Sequence, residues 1–257
     1  MAQLRKYLYC IIPCQQEITF DAKGISDEGS AVHTVCYENL AAVVSDSHTD
    51  KYETTRKHMI AHETVLEKVM QGFTLLPVRF GTVTGPDEPA QDIRLLLQER
   101  YQEFTDLLNE MDGKSELGLK AFWRDEKAIY AEILAENADI RRLSNSLSRL
   151  PAEAARFEGI ALGRRVREAL DDKREQEAAR ILAPLRRLAA RVRVNDVLLD
   201  RMILNVAFLV EKAKGPLFDQ AVSELDKRYG ERVALKYVGP VPSYNFVNIV
   251  VNWPGAK

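Results

Sequence analysis

Two imidazoles one helical turn apart, His58 and His62 in the run His-Met-Ile-Ala-His-Glu, are this sequence's nearest approach to a reactive pair. At i and i+4 on a helix they lie side by side, where two imidazoles can share a metal ion. A zinc site needs further ligands, and a zinc-protease helix carries Glu directly after its first His, where this chain has Met59. His62 falls on the apolar stripe of its predicted helix, so it reads as a partly buried histidine with a hydrogen-bond partner, and no metal ligand is assigned. Cys10 and Cys14 are spaced Cys-x-x-x-Cys, with Cys36 elsewhere. On a strand Cys10 shares a face with Leu8 and Ile12, where a thiol acts as a small apolar group. No serine sits in a nucleophile elbow of the Gly-x-Ser-x-Gly kind. The glycine patterns of dinucleotide and phosphate loops are missing too, the closest helical pair being Gly159 and Gly163. The sequence thus names no catalytic, cofactor-binding or metal residue, and the expectation is a protein that is not an enzyme and needs no cofactor.

Other residues suit binding. Between Arg164 and Arg193 basic side chains outnumber acidic ones two to one. A nucleic-acid surface adds exposed aromatics to such a face, and this segment has none. Opposite charges at helical spacing, Arg167, Glu168, Asp171 and Arg174, describe a solvated helix face instead. A nucleic-acid-binding module using helix 164–193 is the alternative reading, and its affinity would fall steeply with salt. Arg79 interrupts the apolar run Leu75-Leu-Pro-Val-Arg-Phe-Gly-Thr82. It is either a structural arginine paired with carboxylates or carbonyls, since unpaired burial is costly, or a charged anchor in a partner-binding surface. Tyr244, Phe246 and Val247, in the run from Lys236 to Val250, are either ordinary core or an aromatic docking strand. Both runs are apolar and β-prone, broken by Pro and Gly where a strand must bend or stop. An undetected enzyme would instead show a concave pocket with perturbed groups at His58, His62 and Arg79.

The strands and helices predicted around these residues fall in two halves. The chain has 257 residues, enough for one large domain or two ordinary ones, and its formal charge of −2 gives no global pull toward nucleic acid or lipid. Its longest apolar stretch, Met202–Val210, is short of the roughly 20 residues that span a bilayer as a helix. The opening apolar run lacks a small-residue cleavage site and reads as a first strand, and three cysteines point to a reducing cytoplasm. Strands are predicted at Lys6–Pro13, with Leu8, Cys10 and Ile12 opposite Tyr7, Tyr9 and Ile11. A polar excursion at Gly24–Gly29 follows, then a hairpin of Val32–Tyr37 and Leu40–Ser45 about Glu38-Asn39. Next come a helix from about Glu53 to Gln71, a strand over Thr74–Val83, and a helix through Ile93, Leu97, Phe104, Leu108 and Met111. The first domain is placed at 1–112. The second, 113–257, starts with a strand at Glu116–Trp123 and a long helical region to about Ala190, split near Arg149 before Pro151 and kinked or ended at Pro184. Strands at Val192–Asn195 and Met202–Val210, a helix through Leu217, Ala221, Leu225 and Tyr229, and a strand at Arg232–Val238 complete the β-α-β-β-α-β order of a ferredoxin-like fold, with an extended tail over 240–257. The α-β units ending at Phe80 and Tyr237 resemble one another faintly.

Four blocks carry a wider resemblance: Leu75–Thr82, Leu117-Gly-Leu-Lys-Ala-Phe-Trp123, Arg201–Val210, and Lys236-Tyr-Val-Gly-Pro-Val-Pro-Ser-Tyr-Asn-Phe-Val247. They resemble gas vesicle accessory proteins of the GvpF/GvpL family, from about Lys6 to Val250, with the Tyr-Asn-Phe block the most specific and the chain's length favouring the F type. The resemblance implies an α+β protein of two modified ferredoxin-like lobes, each a mainly antiparallel sheet with helices, plus a C-terminal tail strand. It implies a non-enzymatic, cytoplasmic role associated with gas vesicles, the protein-shelled compartments that give certain bacteria and archaea buoyancy. The implied partners are the hydrophobic shell protein of the GvpA type and other accessory gas vesicle proteins, with neither nucleic acid nor membrane among them. The family brings no catalytic residues to carry over. Arg79, Phe80, Tyr244, Phe246 and Val247 are the residues expected to meet the partner.

Overall fold

The computed structural model describes residues 4–26, 29–147, 151–251 and 253. Contacts divide the chain into two compact units, residues 1–116 with 239–257, and residues 117–238. The first unit runs through β1 (Arg5–Pro13), β2 (Thr19–Lys23), β3 (Ala31–Tyr37), β4 (Leu40–Ser47), α1 (Arg56–Met70), the short β5 (Leu76–Pro77), α2 (Pro89–Glu99) and α3 (Tyr101–Met111). Its strands lie in the order β2-β3-β4-β1-β5. The expected hairpin is present: Tyr37 faces Leu40, and Glu38 adopts the positive φ (50°) that a two-residue turn requires. β4 and β5 both pair antiparallel with β1. α1 therefore carries the chain across β1, a split β-α-β step.

The second unit contains β6 (Lys114–Trp123, from Leu117 onward), α4 (Glu126–Glu136), α5 (Ala138–Leu147), α6 (Ala152–Arg186), β7 (Arg191–Val194), β8 (Met202–Glu211), α7 (Gly215–Tyr229) and β9 (Val233–Val241, as far as Val238). Its strand order, β7-β8-β6-β9, is the ferredoxin-like order anticipated for this half. α7 joins β8 to β9 across β6 as α1 joins β4 to β5 across β1, so the two segments that resemble one another make the same topological step. Alternate residues of β6, Leu117, Leu119, Ala121 and Trp123, enter one core with Ile129, Ile133 and Phe218 from the helices.

Several expectations are corrected. A bulge between Leu8 and Cys10 resets the alternation of β1, so Tyr7, Tyr9, Cys10 and Ile12 all join the core under α1. β2 was not anticipated, its polar sequence Thr-Phe-Asp-Ala-Lys lying on a sheet edge. The strand expected over Thr74–Val83 shrinks to Leu76–Pro77: Pro77 offers no N–H, Gly81 turns the chain at φ 82°, and Val83 rejoins β1 by an isolated bridge to Tyr7. The helix expected through Ile93 to Met111 breaks at Arg100. α7 buries Phe218, Val222 and Leu225 while Leu217 is exposed, one position out of the expected phase. α6 continues two residues past Pro184, because a proline removes only one donor near a helix end. The tail forms a turn at Ser243–Val247 and one isolated bridge, Ile249 with Val78, in place of a strand, and it belongs to the first unit. The split near Arg149 and residues Asp27 and Glu28 of the polar excursion fall outside the described residues.

A charge network ties the second unit together. Arg232 holds Glu132 through two bonds of 2.6 and 2.8 Å and also Glu177, which accepts from the Trp123 indole at 2.6 Å. Lys173 bonds Glu132 and Glu136. Hydrogen bonding to Arg232 holds the Glu132 carboxyl down to about 2, against the opposing effect of burial. A carboxylate depressed in the folded state stabilises above its unfolded pKa, and that contribution is lost as pH falls through the folded value. In a Trp253→Phe background, the urea midpoint reported by Trp123 should therefore drop as pH falls from about 4.5 to about 2. Glu132→Gln should remove that part of the profile; an unaltered profile would show that this carboxylate is not coupled to folding.

Candidate partner-binding groove

α1 follows from its sequence: Thr55 caps the first turn by accepting from the His58 N–H at 3.2 Å, and Val65, Leu66 and Val69 bury one stripe. His62 continues that stripe inward and is 2% exposed. Its Nδ1 lies 2.9 Å from the Tyr7 hydroxyl, which accepts from the Gly81 N–H at 3.0 Å. Among the described residues Nδ1 is the only acceptor for the Tyr7 hydroxyl proton, so the imidazole is neutral with its own proton on Nε2. Burial pushes its pKa down to about 4. The ring stacks on Tyr9 and meets the edge of Phe80. His58, the other half of the pair, bonds the Glu53 carbonyl at 2.9 Å. Among the described residues no group of three or more His, Cys, Asp or Glu is placed to hold a metal.

Beside His62, Glu63 receives the Tyr244 hydroxyl on both carboxylate oxygens at 2.8 Å. Burial raises the Glu63 pKa, and it pushes the Tyr244 phenol far up. The next tail residue is held as firmly: the Asn245 backbone N–H and side-chain amide donate to Glu116 at 2.9 and 2.6 Å, and Glu116 is 2% exposed. Arg100, at the break between α2 and α3, donates to the Val250 carbonyl at 3.0 Å. The anchored tail, α1 and the segment after β5 enclose an open groove of about 360 Å³. α1 contributes Met59, His62 and Glu63, the chain after β5 contributes Val78, Arg79 and Phe80, and the tail contributes Tyr244 and Val247–Ile249.

Four of the five residues expected to meet a partner, Arg79, Phe80, Tyr244 and Val247, thus line one groove. Phe246 is not among its lining residues and sits in the tail turn. The structural reading of Arg79 is corrected: the side chain is exposed and, among the described residues, its guanidinium has no partner. The sequence reading passed over Glu63, Glu116 and Asn245. Glu63 follows His62 directly, but nothing local marks Glu116 as the tail's anchor. The basic helix is partly neutralised within its own unit, where Lys173 pairs with Glu132 and Glu136, Arg167 with Asp200, and Arg174 with Asp171. No helix among the described residues is long and apolar enough to cross a membrane.

A family model described as gas vesicle synthesis protein GvpL/GvpF matches residues 5–248, and the chain belongs to that family. It is 32% identical to gas vesicle protein F of Streptomyces sp. (strain CB03234), across 87% of this chain and 91% of that one. It is 28% identical to gas vesicle protein F of Nostoc sp. (strain PCC 7120), across 95% and 98%. The crystal structure of GvpF from Anabaena sp. PCC7120 superposes with a TM-score of 0.81 at 28% identity, covering 96% of this chain and 99% of that one. GvpF from Microcystis aeruginosa gives 0.76 at 26% identity, covering 94% and 98%. Membership supports a role in gas vesicles, in a family described by vesicle synthesis and not by a catalysed reaction.

Two outcomes are expected from the site's hydrogen bonds. Asn245→Ala removes one of the bonds to a buried carboxylate, which should cost about 2 kcal/mol of stability and speed chymotryptic cleavage after Tyr244 or Phe246 at least several-fold. Cleavage at the parent rate would show that Glu116 does not hold the tail. The His62 pKa lies below that of a free histidine, so the unfolded chain binds a proton first as pH falls. Stability should therefore be complete above about pH 6.5 and decline toward about 4, by a total on the order of 3 kcal/mol. His62→Phe should flatten that interval in equilibrium unfolding, and an unchanged slope would mean the decline arises elsewhere.

Proposed function

We propose that this chain is a non-enzymatic accessory protein that binds the hydrophobic shell protein during nucleation or assembly of gas vesicles, in the cytoplasm and with other accessory gas vesicle proteins as partners. A shell subunit with one face destined for gas exposes apolar surface before it assembles, and burial of such surface drives association, wanted or unwanted. An accessory protein that covers this face transiently, or holds the first subunits in register, prevents aggregation. The observation that carries the reading is the groove beside α1, with apolar side chains from three separate segments around the Arg79 guanidinium, which has no partner among the described residues. β5 adds to it, being a two-residue strand at the edge of its sheet. The nucleic-acid alternative loses support where Lys173 and Arg174 are already committed to carboxylates.

Co-precipitation with purified shell protein tests the reading. Arg79→Glu alters an exposed side chain, and Phe80→Asp places a charge on the apolar wall; each should reduce capture about tenfold or more while circular dichroism stays that of the parent. Full capture by both folded variants would overturn the groove as the binding surface.

A further inference from the structure

We infer that His62 donates its Nε2–H to a main-chain carbonyl of an extended apolar segment lying in the groove, which makes it a specificity-determining residue of that interface. The inference rests on the groove being the binding surface and adds what the groove recognises. His62 is 98% buried by its 2% exposure, and its Nδ1 is satisfied by Tyr7. Its Nε2–H has no protein partner among the described residues, and the ring lines the groove. A segment that lies over this N–H must offer it an acceptor or leave the donor unpaired, so the histidine discriminates between ligands.

The neighbouring residue supplies the complementary half. Each Glu63 oxygen accepts from Tyr244 and retains a further lone pair, so it is placed to accept an N–H. A donor and an acceptor on successive residues of α1 match the two kinds of polar group that a main chain presents. Met59, Val78, Phe80, Val247 and Ile249 around them suit apolar side chains on either side. Burial keeps the imidazole neutral through ordinary pH, so the donor suits a neutral carbonyl, and the Glu63 carboxylate opposes an anion in the same place.

The test uses the full-length protein and fluorescein-labelled apolar segments of the shell protein, with affinity read by anisotropy. His62→Phe keeps a ring of similar size without the N–H, and the Tyr7→Phe/His62→Phe pair removes the hydroxyl it would orphan. Both should weaken binding about tenfold. His62→Gln, whose side-chain amide carries an N–H of comparable reach, should restore most of the affinity. In the parent, the His62 Hε2 proton should exchange more slowly with solvent once the segment is bound, a change that a purely structural histidine would not show. Parent-like affinity in both phenylalanine variants, or Hε2 exchange indifferent to ligand, overturns the inference while leaving the groove intact if Arg79→Glu still weakens binding. Should Arg79→Glu and Phe80→Asp also bind as the parent, the groove reading fails and this inference falls with it.

Discussion

Two carboxylates settle where the tail after β9 runs, and the groove exists because of them. Glu116 is almost fully buried, and a buried carboxylate is tolerated only where donors reach it. Asn245 supplies two such donors, one from its backbone and one from its side chain. Glu63 fixes the preceding tyrosine in the same way. With successive tail residues held by α1 and by the start of β6, the following segment is delivered to Val78, where Ile249 makes its bridge. A sheet edge that would otherwise offer free backbone groups is partly covered by the tail, where Ile249 meets Val78.

The two units share a split β-α-β step but fill the space beneath its helix differently. Under α7 the core is apolar, with Phe218 against Phe208 at 5.0 Å between ring centroids. Under α1 the space holds a polar aromatic cluster: Tyr7 against His62, and Tyr9 bonded to Ser45 and receiving the Ile25 N–H. Apolar packing would have been the simpler solution, and polar groups at depth are costly unless they are satisfied. The departure from apolar filling occurs next to the groove and not in the second unit. That placement is what joins the buried chemistry of the first unit to its surface.

Much of this was legible in residue patterns. The hairpin about Glu38-Asn39, α1, β6, β8 and the ferredoxin-like order of the second unit follow from periodicity and turn residues, because each is a local preference in agreement with its surroundings. What escaped was set by contacts distant in sequence. The bulge that turns Tyr9 and Cys10 toward one core depends on the β1 register with β4, and no pattern within β1 announces it. The apolar run before Thr82 and the run ending at Val250 looked like strands because strand and buried turn share a composition; Pro77, Gly81 and the Ser243 turn divided them. Arg79, Phe80, Tyr244 and Val247 were identified from apolar context, whereas Glu116 and Asn245 meet across 129 positions and neither is unusual alone.

We propose the groove bounded by α1, the chain after β5 and the tail as the place where this protein meets the vesicle shell protein. Amide hydrogen exchange on the complex tests it most directly. Protection is expected at residues 59–63, 78–80 and 244–250, with α6 and β7 exchanging as in the free protein. Protection centred on α6 or β7, with those three segments unchanged, would contradict it.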